Sequence, residues 1–263
     1  MRLALSVLLM LGIAQVASAD PFDDGLAAHK RGDYATALRL WHPLASRGDS
    51  SAQYYLGQMH YKGQGVARND VEAIKWFRRS ANQGYASAQS NLGDMYANGD
   101  GAAQDYAEAV KWYRLAANQG SASAQANLGL AYYQGTGGIA RDYAEAVKWL
   151  RLAANQGDAK GQSNLGVAYA NGHGVAQDDA EALRLYRLAA NQGDANAQAN
   201  LGGMYYNGSG VPQDYVEAHK WASLAAAGGD EYAAKHRSLV ESKMTWEQIA
   251  EARRRAAAWK PTR

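Results

Sequence analysis

Residues 85–120 read YASAQSNLGDMYANGDGAAQDYAEAVKWYRLAANQG, and close copies of this stretch follow one another along the chain. Each copy contains a Leu-Gly pair, at Leu56-Gly57, Leu92-Gly93, Leu128-Gly129, Leu165-Gly166 and Leu201-Gly202. Successive pairs are 36, 36, 37 and 36 residues apart. A constant period of this length predicts a solenoid, in which each copy is one small unit stacked on its neighbours. We place the five copies at residues 49–84, 85–120, 121–157, 158–193 and 194–229.

The first half of each copy has the spacing of an amphipathic helix, which we name helix A. In the second copy, Ala88, Leu92 and Met95 lie on one helical face. A glycine turn ends helix A, and the single extra residue of the third copy falls inside that turn, at 135–138. Because the insertion is confined to glycine-rich sequence, we expect this turn to be a surface loop.

The second half of each copy, helix B, opens with a capping signal. Asp or Asn is followed three residues later by Glu, which predicts a capping box in which the Glu side chain returns to the backbone N–H of the cap. The five caps are Asn69, Asp105, Asp142, Asp178 and Asp214. Helix B should end at a glycine in the left-handed conformation, at Gly84, Gly120, Gly157, Gly193 and Gly228. The next helix A is then capped by Asp49, Ser121, Asp158 or Asp194.

Two helices of about a dozen residues cannot bury a sufficient core alone, so the folding unit is the whole array. Small residues at fixed positions predict close approach of the helices. We expect one tryptophan per copy to fill the space between them, at Trp76, Trp112, Trp149 and Trp221. The fourth copy has Leu185 at that position, and we therefore predict that it forms the weakest interface.

The two ends of the chain depart from the repeated pattern. Residues 1–19 combine Arg2, an apolar run and small residues at 17–19, the pattern of a cleavage site. They predict a secretory signal peptide that is cleaved after Ala19. The apolar run is shorter than the roughly 20 residues that span a bilayer, so we expect no membrane insertion after cleavage, with an uncleaved anchor as the alternative. Residues 20–48 indicate a degenerate helix pair, and residues 230–263 indicate capping helices, the last opened by Thr245 and Gln248.

Two motifs together resemble a known family. A-Q-x-N-L-G-x-x-Y-x-x-G-x-G followed by D-Y-x-E-A-x-K-W-x-x-x-A-A-x-Q-G is similar to the Sel1-like repeat (SLR), a relative of the tetratricopeptide repeat, over residues 49–229. The resemblance implies an all-α fold, an alpha/alpha right-handed superhelix of antiparallel helix pairs. It also implies a scaffold or adaptor for protein partners, often in the bacterial envelope or in secretion. We accordingly expect a periplasmic or secreted protein.

The sequence offers little for catalysis or cofactor binding. Cysteine is absent, which excludes disulfides and thiolate metal sites. After removal of the signal peptide, 26 basic residues balance 25 acidic ones, which gives no reason to expect a nucleic-acid partner. The motifs H-E-x-x-H, G-x-S-x-G and S-x-x-K are also absent. We expect no enzyme activity, no metal and no cofactor. The alternative is a cell-wall-associated enzyme, or a protein that binds peptidoglycan or β-lactams.

By resemblance to tetratricopeptide arrays, helix A should line the concave side and hold the partner. One position on it carries Tyr55 in the first copy and then Asn91, Asn127, Asn164 and Asn200. Amides repeated once per copy can bond to an extended peptide backbone. The position one turn later varies and can supply selectivity, at Gln58, Asp94, Leu130, Val167 and Gly203. The alternative is that the Asn side chains bond to the adjacent copy and only set the stacking angle.

Overall fold

The computed structural model describes residues 20–228 and 231–262, which form 14 α-helices and no strand. The predicted signal peptide lies outside these residues. The all-α, repeat-based fold is confirmed. The helices are α1 (Pro21–Lys30), α2 (Tyr34–Ser46), α3 (Ser50–Lys62), α4 (Asp70–Asn82), α5 (Ala86–Asn98), α6 (Tyr106–Asn118), α7 (Ala122–Gln134), α8 (Tyr143–Asn155), α9 (Ala159–Asn171), α10 (Asp179–Asn191), α11 (Ala195–Asn207), α12 (Tyr215–Ala227), α13 (Glu231–Glu241) and α14 (Trp246–Ala258).

The helices form one continuous stack. Each helix from α1 to α12 packs on the next helix along the chain. The odd-numbered helices from α3 to α11 are the A helices of the five copies, and the even-numbered helices from α4 to α12 are their B helices. The last helix, α14, packs on α12.

The predicted cap residues are confirmed at both kinds of helix. Asp105 Oδ1, for example, accepts from the backbone N–H of Glu108 at 2.9 Å. The predicted capping box is nevertheless wrong in the copies. The N–H of Asp105 instead donates to the carbonyl of Tyr96 in helix A, at 2.9 Å. The carboxylate of Glu108 turns along its own helix, where it accepts from Lys111 Nζ at 2.9 Å and Trp112 Nε1 at 3.0 Å. The predicted box at Thr245 and Gln248 is present.

The predicted glycine ends of helix B are confirmed in four copies and wrong in the fifth. Gly84, Gly120, Gly157 and Gly193 have positive φ. Gly228 has a φ of −78° and caps α12 itself. Its position in the repeat corresponds to Gln192, which caps α10 and is followed by Gly193. A residue at this position needs no left-handed conformation.

The expected role of tryptophan as filler between the paired helices is only partly right. The large side chain that packs on the glycine of helix A comes from the residue after the tryptophan position. In the second copy this residue is Tyr113, and a Cβ on Gly93 would lie 2.6 Å from its ring. Phe77, Leu150 and Tyr186 face the equivalent glycines of other copies. Trp112 is only half-buried, because its Nε1 reaches out to Glu108. Leu185 in the fourth copy is 2 % exposed, so this position is filled there too.

Buried glutamines connect successive copies. Gln125 in α7 donates to the carbonyl of Ala117 at the end of α6, at 3.1 Å, and accepts from Gln156, which follows α8, at 2.8 Å. The same paired arrangement occurs at Gln53, Gln89 and Gln162. A second set of bonds joins one arginine of helix B to a tyrosine of the next helix A in the first four copies, at Arg78–Tyr96, Arg114–Tyr132, Arg151–Tyr169 and Arg187–Tyr205.

Hydrogen bonds between charged side chains attach the C-terminal helices to the end of the stack. Glu217 of α12 accepts from Arg255 of α14 at 2.7 Å and from Lys220 and Trp221 on its own helix. Burial alone would raise the pKa of Glu217, but the bonds from Arg255 and Lys220 outweigh it and hold that pKa below its usual value. Beyond α14, the N–H of Thr262 donates to the carbonyl of Asn191 at 2.8 Å.

Candidate binding clefts on the helix A side

Two clefts open between A helices that neighbour each other in the stack. The first cleft, of about 630 Å³, lies between α5 and α7. The second cleft, of about 460 Å³, lies between α9 and α11. The two are lined by equivalent positions, because matching residues differ by 73, which is one step of 36 and one of 37. These matching pairs are Asp94 and Val167, Ala97 and Ala170, Asn98 and Asn171, Tyr106 and Asp179, Tyr113 and Tyr186, Asn127 and Asn200, Leu130 and Gly203, Ala131 and Met204, Gln134 and Asn207, and Thr136 and Ser209.

An alternation of tyrosine and alanine explains why the clefts are two copies apart. One position near the end of helix A is occupied by Tyr61, Ala97, Tyr133, Ala170 and Tyr206 in the five copies. Tyr61 and Tyr133 fill the space beside the next A helix: the Tyr61 hydroxyl donates to Asp100 at 3.1 Å, and the Tyr133 hydroxyl lies 2.7 Å from His173 Nδ1. Tyr206 in the last copy packs its ring on His236 of α13. Alanine in the second and fourth copies leaves that space open.

All the residues predicted to bind a partner are half-buried on the A helices. The structure brings Asp94, Asn127 and Leu130 together in the first cleft. It brings Val167, Asn200 and Gly203 together in the second. The predicted continuous row is therefore divided into two separate groups.

The remaining predicted residues make contacts outside both clefts. Tyr55 stacks on Trp41 with ring centroids 4.8 Å apart. Gln58 donates to the hydroxyl of Tyr54. Asn91 lies beside the same hydroxyl, which belongs to the preceding copy, and opposes the rise in the pKa of Tyr54. Asn164 donates to the carbonyl of Lys160 in its own helix at 2.9 Å.

Among the asparagines, Asn127 forms hydrogen bonds to both adjacent copies, as the alternative role requires. Its Nδ2 donates to Asp94 in the preceding copy, and its Oδ1 accepts from Lys160 in the following copy. The buried glutamines are the polar residues that connect copies regularly, and the sequence reasoning missed them. The signal was present, because every copy has Ala-Gln or Gly-Gln three residues before the Leu-Gly pair.

The first cleft contains a chain of polar groups across three A helices. Asp94 Oδ1 accepts from the Tyr113 hydroxyl at 2.8 Å and from Asn127 Nδ2 at 2.9 Å. Asn127 Oδ1 accepts from Lys160 Nζ at 2.6 Å. Burial raises the pKa of Asp94, although the bonds from Tyr113 and Asn127 and the charge of Lys160 oppose that effect. Burial and the neighbouring carboxylate also raise the pKa of Tyr113, which keeps its hydroxyl a donor.

The second cleft keeps the asparagine and tyrosine of this polar chain but lacks its two charged members, and its carboxylate is Asp179, at the position of Tyr106. Val167 stands where the first cleft has Asp94, and Tyr232, 72 residues after Lys160, stands where it has that lysine. Met204 contributes a nearly buried side chain. Asn200 and His236 supply polar groups, and burial lowers the pKa of His236, which favours its neutral imidazole.

A separate array between α12 and α13 has the residue types of a hydrolase triad. The Ser223 hydroxyl lies 3.3 Å from His219 Nδ1, and His219 Nε2 lies 2.7 Å from Glu241 Oε1. The ring of His219 is 1 % exposed, and Glu241 also accepts from Arg253. Because this array ties α13 and α14 to α12, we assign it to the attachment of the C-terminal helices.

The described residues contain neither a cluster of metal ligands nor a membrane-spanning helix. Within 20–228 and 231–262, no group of three or more His, Asp or Glu side chains is arranged to hold a metal ion. In the same ranges, no helix has both the length and the apolar character needed to cross a membrane.

Comparison with known proteins gives matches to one family and to solved structures. The Sel1 repeat family matches residues 50–85, 86–121, 122–158, 159–194 and 195–230. The structure of a Sel1 repeat protein from Oxalobacter formigenes is 32 % identical, with a TM-score of 0.78, and the match covers 93 % of this chain and 99 % of that one.

Two further structures are more distant. A protective antigen with an SLR fold, present in uropathogenic Escherichia coli strains, is 28 % identical, with coverages of 91 % and 68 % and a TM-score of 0.45. A Sel1 repeat protein from Klebsiella pneumoniae is 23 % identical, with coverages of 76 % and 97 % and a TM-score of 0.50. No curated protein matches the chain. Sel1 repeat proteins generally act in protein–protein interaction and are typically non-enzymatic. The repeated motif, the stacked helix pairs and these matches show that the chain belongs to the Sel1 repeat family.

Proposed function

We propose that this protein is a non-enzymatic scaffold that holds a protein or peptide segment on its helix A side. The observation that supports this function best is the pair of equivalent clefts, which together contain six residues of the two predicted rows. The general role of Sel1 repeats in protein–protein interaction points the same way. A segment of a partner would lie along the A helices and place side chains in the clefts.

The connections between copies suit such a role. The buried glutamines and the arginine–tyrosine bonds link each copy to the next, so the A helices form a preorganised surface. A preorganised surface loses little conformational entropy on binding, which improves affinity without additional contacts.

Crosslinking from defined positions tests the scaffold function. A photoreactive amino acid at Leu130 or Asn200, expressed in the native host, should capture the same partner protein from both clefts. The matched control is the same amino acid at Lys111, an exposed position on helix B. Equal capture from Lys111 would show that the helix A side is not the binding surface.

We also propose that the mature chain begins at Asp20 and acts in the periplasm or outside the cell. Support comes from the signal-peptide pattern of residues 1–19. Mass spectrometry of the protein purified from its native host should give an N-terminus at Asp20. An intact Met1 in the cytosolic fraction would contradict this location.

The alternative function is a wall-associated enzyme, or a protein that binds peptidoglycan or β-lactams. The Ser223–His219–Glu241 array is the specific observation that would favour an enzyme. Purified protein should be assayed with esters, β-lactams and peptidoglycan fragments, with Ser223→Ala as the control. We expect no turnover above the level of this variant. Turnover that Ser223→Ala abolishes would establish an enzyme.

A further inference from the structure

The helix B side of the stack contains a further docking groove, between α8 and α10. We propose that this groove binds an α-helix of a protein partner and takes an aromatic side chain, best an indole, from the end of that helix. The groove is separate from the two clefts on the helix A side, so this inference goes beyond the proposed scaffold function.

The last helix of the chain shows how such a groove is occupied. α14 packs on α12, and its C-cap residue Trp259 has its ring 6.3 Å from the ring of Trp221. Further along, the N–H of Thr262 donates to the carbonyl of Asn191 in α10, at 2.8 Å. The terminal helix and its tail therefore contact both walls of the groove between α10 and α12.

The groove between α8 and α10 repeats these walls one copy earlier. Its lining residues Asn155, Glu181, Arg184, Leu185 and Leu188 stand 36 positions before Asn191, Glu217, Lys220, Trp221 and Leu224. Leu188 is 42 % exposed, whereas Leu224 is half-buried and packs on the core. The two grooves are equivalent, and the one between α8 and α10 is open to a second helix.

A missing tryptophan leaves room for a side chain in the open groove. The other four copies have tryptophan at the position of Leu185. Leu185 fills only the buried part of this position, and it lines a cavity of about 310 Å³ between α8 and α10. An indole from a bound helix would occupy the space that the other copies fill with their own.

The groove tolerates the loss of its indole because a neighbouring substitution replaces the lost hydrogen bond. In the third copy, the carboxylate of Glu145 accepts from Trp149 Nε1 at 3.0 Å and from Lys148 Nζ at 2.8 Å. In the fourth copy, Arg184 replaces the lysine and bonds both carboxylate oxygens of Glu181, at 2.7 and 2.6 Å. The carboxylate keeps two donors, so the groove stays open without an unpaired charge.

The lining favours an aromatic side chain over an aliphatic one. Arg151, Arg184 and Tyr169 make the edge of the cavity polar. A guanidinium group is attracted to the face of an aromatic ring, and an alkyl chain offers it no such contact. The covered groove already contains a contact of this kind, because Lys220 Nζ lies 4.3 Å from the ring centroid of Trp221. We expect Arg184, the counterpart of Lys220, to lie over the ring of the bound side chain.

The chain supplies its own probe, a fluorescently labelled peptide of residues 245–263, which spans α14 and the tail after it. Mixed with residues 20–263, this peptide should bind and raise its fluorescence anisotropy. Trp259→Ala in the peptide should weaken binding about tenfold, whereas Trp259→Phe should keep most of the affinity. Trp246→Ala removes the other, exposed tryptophan of the peptide and is the matched control. It should bind as the parent peptide does.

A variant of the chain assigns the peptide to the groove. Arg184→Lys combined with Leu185→Trp restores the Lys-Trp pair of the other four copies. This variant should therefore fold, and circular dichroism melting checks this. Its new indole fills the cavity, so the peptide should bind about tenfold more weakly or worse. Ala107→Trp adds an indole at an exposed position of α6 and is the matched control, with unchanged binding expected.

Two results would overturn this inference. One is equal affinity of the peptide for the filled-groove variant and for Ala107→Trp, because the peptide would then bind elsewhere, for example by displacing α14. The other is a parent chain that does not bind the peptide at all. Both results would leave the scaffold function standing, since the crosslinks from Leu130 and Asn200 test that function on the helix A side.

Discussion

The side-chain amide of Gln156, just after α8, donates to Oε1 of Gln125 in α7 at 2.8 Å. Gln125 also donates to Ala117 at the end of α6, so one buried amide connects three helices from two copies. It is 4 % exposed. This arrangement explains how a stack of short helices keeps one register, because each copy must place hydrogen-bond partners at the buried amide between it and the preceding copy.

Replacing Gln125 with Leu should destabilise the array. The change keeps most of the side-chain volume but removes both hydrogen bonds at a buried position, so we expect a loss of about 1–2 kcal/mol in the free energy of unfolding. Urea denaturation measures it. The control is Asn164→Ala, which removes only a bond within α9 and should cost about 0.5 kcal/mol or less. Equal losses would show that the glutamines have no special part in stacking.

Two glycines on A helices should respond to alanine in opposite directions. A Cβ at Gly93 would lie 2.6 Å from Cε1 of Tyr113, so Gly93→Ala should destabilise by about 1–3 kcal/mol. A Cβ at Gly203 meets no atom within 4 Å, and Gly203→Ala should stabilise by up to about 1 kcal/mol through helix propensity. Thermal unfolding of both variants checks the difference, and a stable Gly93→Ala protein would contradict the packing described.

Asp94→Asn should change how the stability of the chain depends on pH. Burial raises the pKa of Asp94 in the folded chain, so its protonated form is favoured there and its ionisation costs stability as pH rises through that pKa. At neutral pH we expect the melting temperature of the variant to exceed that of the parent chain by about 1–3 °C. The difference should vanish in acid, where the parent carboxyl is protonated in both states. A variant that melts lower at neutral pH would mean that ionised Asp94 stabilises the fold.

Glu217→Gln should loosen the C-terminal helix. Arg255 and Lys220 hold the pKa of Glu217 below its usual value, so its contribution to stability is present at neutral pH and is lost as pH falls through the folded pKa. The variant should be cut by trypsin at residues 253–255 about three- to tenfold faster at neutral pH. Glu181→Gln is the matched control, because Glu181 pairs with Arg184 inside α10. Equal cutting of the two variants would contradict the role of Glu217.

The fourth copy should exchange its amide hydrogens fastest among the five. Its core between α8 and α10 is a small cluster of Val147, Leu150, Leu165, Ala168 and Leu185, which separates the larger clusters before and after it. Fewer buried contacts permit local opening at lower free energy. Hydrogen exchange read by mass spectrometry tests this, and protection of α9 and α10 equal to that of α5 and α6 would refute it.

The sequence alone determined the features that depend on neighbouring residues. The period of 36 residues, the Asp and Asn caps and the glycine ends are all local signals, and the helices follow them almost throughout. Gly228 is the exception, because one register position there carries glycine in place of glutamine.

Only the tertiary structure decided what depends on residues one or two copies apart. It showed that Gln125 joins copies while Asn164 bonds within its own helix, and that Glu108 turns to Trp112 because the cap already has a partner in helix A. It also showed that Ala97 and Ala170 open clefts that tyrosine closes elsewhere. The reason is physical: a side chain's partner is set by what lies across the stack, and a single helix cannot specify that.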